Sequence, residues 1–147
     1  MADIIDGKMI AQKIRDNIKE EVSKLKTKPY LAVIIVGDDE ASKIYVASKH
    51  KACKEAGIDS YNYELPEKTG EEEILSIIQK LNNDIKVTGI LVQSPLPKHI
   101  NEKKIIDAIS PRKDVDCFHP INMGNMLIKA EYNSILPATP KGIIRLI

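Results

Sequence analysis

Tyr45 and Lys49 lie one helical turn apart, and their types and spacing are suited to chemistry on a bound ligand. Residues i and i+4 of an α-helix share one face, so the ring and the amine point in the same direction. An aromatic ring can stack on a flat ligand, and a lysine with a lowered pKa can move a proton. Taken alone, the same spacing also describes a packed ring beside a solvated surface amine.

Two further segments carry polar groups that can meet this pair. In the first, Gln93 precedes a proline-rich stretch, and its amide can hold a lysine amine or a ligand carbonyl. The prolines Pro95 and Pro97 would form a rigid ligand wall. In the second, the Asp116 carboxylate can accept hydrogen bonds from a paired N–H and NH2 on a heterocycle. The ordinary alternatives are a plain connecting loop and a turn aspartate that caps its own backbone.

The elements that position these residues follow from hydrophobic periodicity. Six apolar residues at 31–36 before Gly37 predict a buried parallel strand that leads into a turn and a helix. Other strands are predicted at 58–65 and 87–93. Helices are predicted at 7–26, around Tyr45 to Ala56 with Gly57 as the stop, from Glu71 past Leu81, around Ile105 to Ile109, and from an N-cap and N1 pair at Thr139-Pro140 to the end. Residues 111–136 are predicted to be irregular, with room for one short strand or helix.

Strands that alternate with helices predict an α/β protein, in which a mainly parallel sheet is covered on both faces as a three-layer α/β/α arrangement. Open sheets of this kind bind ligands at the carboxyl ends of their strands. The segments that carry Lys49, Gln93 and Asp116 are therefore expected to meet at one edge of the sheet.

Composition excludes several classes of protein. The 147 residues fit one domain, and 43% hydrophobic with 29% charged residues is typical of a soluble globular protein. A net charge of +1 argues against a nucleic-acid partner, and the longest apolar run is too short to span a membrane. Because Cys53 and Cys117 are far apart and the three histidines are scattered, no metal site is expected. We expect a cytoplasmic protein.

Four ordered runs resemble the bifunctional methylenetetrahydrofolate dehydrogenase/cyclohydrolase family: Val36 to Ile58, Gly89 to Pro97, Lys113 to Asn125 and Pro137 to Ile143. The resemblance implies a folate-binding catalytic domain. In that family the position of Tyr45 stacks on the folate, Lys49 is the central acid/base group, Gln93 assists it, and Asp116 holds the pterin-like ring. Substrate-binding positions also fall on Ser42, Pro95, Leu96 and Pro97.

The sequence departs from the commonest family pattern at three positions: Ser94 stands for a usual Leu, Cys117 for a usual Gly, and Ala138 for a usual Cys. None of these changes removes a proposed catalytic group. Cys117 matters most because it follows Asp116 directly, and Gly permits backbone angles that Cys does not.

The family continues beyond Ile143 into a nucleotide-binding domain. The seven glycines of this chain contain no G-x-G-x-x-G, and its last helix ends on apolar residues. We therefore interpret residues 1–147 as the N-terminal catalytic domain, truncated before a domain that binds NADP or NAD, with no cofactor site of its own.

The resemblance implies that the parent protein, a homodimer, acts on tetrahydrofolate substrates. It would oxidise 5,10-methylenetetrahydrofolate and hydrolyse the methenyl product to 10-formyltetrahydrofolate in one-carbon metabolism. The chain by itself is expected to lack dehydrogenase activity, and the sequence leaves NAD and NADP as open alternatives.

Two rival interpretations belong to other classes. A noncatalytic flavodoxin-like receiver would use Asp38 and Asp39 as an acidic metal pocket, but it also needs an aspartate where this chain has Gln93. An inactive structural fragment would bind no ligand at all.

Overall fold

A computed structural model describes residues 5–128 and 135–147. Within these residues the chain forms three strands, β1 (Tyr30–Val36), β2 (Asp59–Leu65) and β3 (Gly89–Val92). The same residues form six helices, of which the last three follow β3 in succession: α1 (Gly7–Ser23), α2 (Glu40–Ala56), α3 (Glu71–Asn83), α4 (Glu102–Ala108), α5 (Pro120–Leu127) and α6 (Ala138–Leu146). None of the helices in these ranges is long and apolar enough to cross a membrane.

The three strands form one parallel sheet in the order β2-β1-β3. The central strand β1 packs against helices on both faces. Ala32, Ile34 and Val36 face a cluster that includes α3 and α4, while Val33 and Ile35 pack with Val46 of α2. Burial of one such aliphatic side chain contributes about 1.5–3 kcal/mol. The predicted three-layer α/β/α arrangement with a parallel sheet is confirmed.

Helix α2, which carries Tyr45 and Lys49, has well-defined ends. Asp39 is its N-cap, and its carboxylate accepts a hydrogen bond of 2.7 Å from the Ser42 N–H. Gly57 ends the helix with a φ of +79°, a left-handed conformation that glycine adopts without a steric penalty. The stop predicted at Gly57 is confirmed.

Several predicted boundaries were wrong. Helix α1 ends at Ser23 rather than near 26, and β3 covers fewer residues than 87–93. The latter difference is small in physical terms, because the Thr88 and Gln93 N–H groups still bond to β1 carbonyls at 3.0 and 2.9 Å. The sheet ladder thus extends beyond the residues with regular strand geometry.

The Thr139-Pro140 pair is not the start of the last helix, because α6 begins at Ala138 after Pro137 and has no side-chain cap. The range 111–136, predicted to be irregular with room for one short strand or helix, contains the short helix α5. This helix forms because Pro120 occupies its first turn and the His119 ring accepts a hydrogen bond from the Ile121 N–H. Residues 129–134 of that range lie outside the described residues.

Candidate active site

Lys49 and Gln93, which are 44 positions apart in sequence, meet at the carboxyl edge of the sheet. The Lys49 Nζ donates a hydrogen bond of 3.1 Å to the Gln93 Oε1. The same Nζ lies 4.8 Å from the centre of the Tyr45 ring, a distance at which an ammonium is attracted to an aromatic face. The structure thus brings together three of the side chains singled out in the sequence.

Gln93 is fixed in an orientation that presents oxygen to the lysine. Its backbone N–H donates to Ile34 O at 2.9 Å, which anchors it to β1. Its side-chain Nε2 donates to the Ser94 carbonyl at 2.8 Å, so the amide oxygen is left to face Lys49. An acceptor in this place orients the amine of Lys49 in either of its protonation states.

Burial lowers the pKa of Lys49, and the negative charges of Asp116 and Cys53 partly oppose that effect. Burial raises the pKa of Asp116, with Lys49 opposing and Asp114 adding to the rise. Both groups are therefore shifted towards their neutral forms, mainly by desolvation. A lysine with a lowered pKa is closer to the condition that a general base requires.

Tyr45 and Ser42 occupy different surroundings on α2. Tyr45 is 62% exposed, so its ring is accessible for stacking on a ligand. Ser42 is buried, and hydrogen bonds from its side chain and its backbone N–H lower the pKa of Asp39. Ser42 therefore helps to start the helix that presents Tyr45 and Lys49.

The proline-rich segment contributes a wall beside Asp116. Leu96 and Pro97 are half-buried and Pro95 is exposed. Leu96 lines a small cavity together with Asp116, Val92 and other residues of β3 and α4. Next to it, the Ser94 hydroxyl donates a hydrogen bond to the Glu102 carboxylate. The structure therefore places Leu96 of this segment, rather than its prolines, in the cavity that Asp116 lines.

Asp116 lies in a loop that a buried neighbour holds in place. Asp114 accepts hydrogen bonds from the backbone N–H groups of Phe118 and His119 at 3.3 and 2.9 Å, and from the Asn122 amide at 2.9 Å. Sequence reasoning missed Asp114 and Asn122. The alternative considered for Asp116, a turn aspartate that caps nearby backbone, describes Asp114 instead.

Cys117 adopts a φ of +61° and is fully buried. Glycine, the residue expected here from the family resemblance, adopts this left-handed region freely, whereas a residue with a Cβ does so at a cost of about 1–2 kcal/mol. The backbone thus keeps the turn of a glycine although the residue is a cysteine.

The acidic pair Asp38-Asp39 serves α2 rather than a metal pocket. Asp38 forms an ion pair of 2.8 Å with Lys43, and Asp39 is the helix cap. Across the described ranges 5–128 and 135–147, no group of three or more His, Cys, Asp or Glu side chains is arranged to hold a metal ion.

The helices that follow the three strands begin with acidic residues. A pyrophosphate is bound by free N–H groups at a helix N-terminus that follows a strand. The helices that follow β1, β2 and β3 each carry glutamate in the first turn, at Glu40, Glu71 to Glu73 and Glu102. These carboxylates disfavour a phosphate group at the three helix N-termini.

Comparisons with known proteins agree on one family. The family model described as tetrahydrofolate dehydrogenase/cyclohydrolase, catalytic domain, matches residues 5–116. "Bifunctional protein FolD" of Ruminiclostridium cellulolyticum is 53% identical over 150 residues, which cover 99% of this chain and 52% of the relative. The protein of the same name from Agathobacter rectalis is 55% identical over 150 residues, covering 100% of this chain and 53% of the relative.

Solved structures give the same result. The bifunctional enzyme FolD from Campylobacter jejuni superimposes with a TM-score of 0.94 at 46% identity, covering 98% of this chain and 52% of that one. The Trypanosoma brucei FolD complexed with NADP cofactor and inhibitor has a TM-score of 0.93 at 34% identity, covering 99% and 50%. The chain spans about half the length of the relatives that it matches.

Proposed function

The chain belongs to the tetrahydrofolate dehydrogenase/cyclohydrolase family, and from this membership we propose that it carries the folate-binding catalytic site of a bifunctional enzyme. The proposed reactions are oxidation of 5,10-methylenetetrahydrofolate to 5,10-methenyltetrahydrofolate and hydrolysis of that product to 10-formyltetrahydrofolate. The observation that carries the proposal is the contact of Lys49 with Gln93, 3.1 Å long, at the carboxyl edge of a parallel sheet.

Cyclohydrolysis makes demands that this arrangement meets. Water must add to a carbon that lies between two nitrogens, and one carbon–nitrogen bond must then break. A base has to accept a proton from water, and an acid has to deliver one to the departing nitrogen. Lys49 serves both steps, because burial lowers its pKa and its Nζ is directed by the Gln93 oxygen.

Folate would be held by the groups around this lysine. The exposed Tyr45 ring offers a stacking face, and the Leu96 wall limits the position of the ring from another side. The Asp116 carboxylate accepts hydrogen bonds from the N–H and amine of a pterin-like ring. Its proximity to Lys49 is supported by the effect of each charge on the pKa of the other.

We propose that residues 1–147 form the N-terminal catalytic domain of a longer protein, in which a second domain binds NADP. The coverage of about half of each relative supports this division. The Trypanosoma brucei relative was solved with NADP. Hydride transfer needs the nicotinamide that such a domain would supply, whereas hydrolysis uses side chains of this chain.

We also propose that the full-length protein is a cytoplasmic homodimer with folates as its partners. The net charge of +1 supports the exclusion of nucleic acid. Light scattering after size-exclusion chromatography tests the dimer.

The proposed function is tested by titrating the chain with a folate analogue in a calorimeter and by following methenyl absorbance in its presence. Binding, together with faster loss of absorbance than in buffer alone, is the expected result. The proposal would be refuted if the folded chain neither bound the analogue nor accelerated hydrolysis and the full-length protein were also inactive. That result would favour a purely structural role.

A further inference from the structure

Two buried polar side chains, Asp114 and Asn122, lie beside the loop that carries Asp116, and the proposed chemistry does not use them. Asp114 is 3% exposed and Asn122 is 8% exposed. A buried carboxylate is costly unless hydrogen bonds compensate for the lost water. The partners that it binds therefore indicate what the side chain does in the fold.

All three donors to Asp114 come from residues after Asp116: the backbone N–H groups of Phe118 and His119 and the Asn122 amide. The carboxylate thus closes a loop around Asp116. The Asn122 amide also donates to the Pro111 carbonyl at 2.8 Å, so it ties the beginning of the loop to the same point.

The same loop is attached to the strand that positions Gln93. Ile90 of β3 donates its N–H to the Lys113 carbonyl at 2.7 Å, and Ile90 pairs with Asp114 in a parallel bridge. Three residues later in the chain, Gln93 binds Lys49. The two groups that act on Lys49, Gln93 and Asp116, are therefore both positioned relative to β3.

We propose that Asp114, held by Asn122, is the positioning residue for Asp116: it fixes the loop so that the Asp116 carboxylate keeps its place in the cavity beside Val92 and Ser94, near Lys49, and faces a bound folate. The identity of the ligand rests on the proposed function, but the placement of Asp116 near Lys49 does not. Asp114 contacts no reacting atom in this role and acts only through Asp116.

The pKa of Lys49 reports this placement without any substrate. The charges that act on it are those of Asp116 in the loop and Cys53 on its own helix, while Gln93 is neutral. Removal of Asp116 should therefore lower the pKa of Lys49. Asp114→Asn should lower it as well, because one of the two acceptor oxygens becomes an NH2 donor that faces other N–H donors, and Asp116 moves away.

Asp114 is not among the charges that shift the pKa of Lys49, so the loss of its own charge is not expected to lower that pKa. A direct effect of the lost charge would also persist when Asp116 is already Ala, whereas an effect that acts through Asp116 would not. A lower pKa in Asp114→Asn that disappears in the Asp116→Ala background therefore reports displacement of Asp116.

The experiment measures the pKa of Lys49 by NMR of lysine carbons labelled next to the amine, with the signal assigned by its loss in Lys49→Met. The variants are Asp114→Asn, Asp116→Ala, the double variant, and Asn122→Ala, which keeps the test valid if Asp114→Asn fails to fold. Asp107→Asn, on the exposed side of α4, is the control for the loss of one acidic charge.

Asp114→Asn should lower the pKa in the direction of Asp116→Ala, and the double variant should go no lower than Asp116→Ala alone. Asn122→Ala should give a smaller change of the same sign, and Asp107→Asn none. An unchanged or raised pKa in folded Asp114→Asn and Asn122→Ala would overturn the proposal. The proposal would also be overturned if Asp114→Asn and Asp116→Ala lowered the pKa of Lys49 additively in the double variant.

A second measurement connects this placement to folate. Calorimetry with a folate analogue should show about tenfold weaker binding in Asp114→Asn, the loss expected for one charge-assisted contact, and no further loss from it when Asp116 is already Ala. If the wild-type protein binds no folate, the proposed function fails. The pKa of Lys49 still decides whether Asp114 positions Asp116.

Discussion

Lys49 differs from the other lysines of α2 in its surroundings rather than in its type. It is half-buried and bound to Gln93, whereas Lys51, two residues later, is 80% exposed and forms only a surface ion pair of 4.0 Å with Glu55. Such surface pairs contribute about 0–1 kcal/mol. Lys51 therefore serves as a matched control for Lys49 within the same helix.

Lys49→Met in the full-length protein should reduce cyclohydrolase turnover by about 10²–10⁴-fold, the usual contribution of a general acid/base. Lys51→Met should leave turnover near the wild-type rate. Both rates can be measured from the loss of methenyl absorbance, with circular dichroism as a check on folding. Equal rates in a folded Lys49→Met protein and the wild type would remove Lys49 from the mechanism.

Asp116→Asn should stabilise the protein at neutral pH. Burial raises the pKa of Asp116 above its ordinary value of 3.8, so the ionised carboxylate disfavours the folded state. This cost is present above the raised pKa of the folded state and disappears below 3.8, where the folded and unfolded states are both protonated. Urea unfolding should therefore show a gain for Asp116→Asn at pH 7 that vanishes at low pH.

A gain that persists below that pH would show that Asn packs better for a reason unrelated to charge. Asp107→Asn serves as the control, since Asp107 lies on the surface beside Lys103. Stability sacrificed at one carboxylate is a common feature of sites that bind and react.

Cys117 allows a prediction about backbone strain. Its φ of +61° penalises every residue with a Cβ by about 1–2 kcal/mol, whereas Gly is free of that penalty. Cys117→Gly should therefore be at least as stable as Cys117→Ala, although Gly is smaller and the site is buried. Chemical denaturation of both variants measures the difference in unfolding free energy. A clearly higher unfolding free energy for Cys117→Ala than for Cys117→Gly would contradict the strain.

At the scale of elements, the start of α2 determines where the site is presented. Asp39 caps this helix, and its replacement by Ala should cost about 1 kcal/mol of unfolding free energy. Because Tyr45 and Lys49 lie on the first turns that follow, folate binding should weaken as well.

Asp6→Ala is the matched control, because Asp6 caps α1 through a hydrogen bond of 3.0 Å from the Met9 N–H and α1 carries no site residue. It should cost similar stability without changing folate affinity. Urea titrations together with calorimetry compare the two variants. Equal loss of affinity in both would mean that stability, rather than the position of α2, limits binding.

Local signals explain which elements could be predicted. The apolar run of β1 and the stop at Gly57 are short-range features, and the structure has them where the sequence placed them. The start of α6 was misjudged because a threonine before proline resembles a cap, yet the helix already begins at Ala138.

The hydrogen bonds of Asp114 and Asn122 that hold the Asp116 loop could not be predicted from local signals. They depend on Asp114 reaching the amide of Asn122 and on a bridge between Ile90 and Asp114. Those contacts join segments whose relative placement exists only after the sheet has formed. The sequence pattern indicated Asp116 through resemblance, while the residue that holds its loop gave only the weak signal of an aspartate in a turn.

At the scale of the whole molecule, the site lies at the carboxyl edge of a three-stranded sheet, with α2 on one face and α3 and α4 on the other. In the proposed division of labour, this chain supplies the groups that bind the folate and catalyse hydrolysis, and a second domain supplies the nicotinamide. Separate measurements of hydrolysis and hydride transfer with this chain therefore test the proposed division directly.

This chain should bind NADP weakly, if at all, and should form no NADPH from methylenetetrahydrofolate. A dinucleotide site needs unobstructed N–H groups where a strand leads into a helix. In the described residues these places carry Glu40, Glu71 to Glu73 and Glu102, and the Asp39 carboxylate already occupies the start of α2. Titration with NADP, followed by an assay for NADPH absorbance, makes the measurement. Micromolar affinity, or NADPH formed only when the chain is present, would place the cofactor site within residues 1–147 and overturn the proposed boundary between the domains.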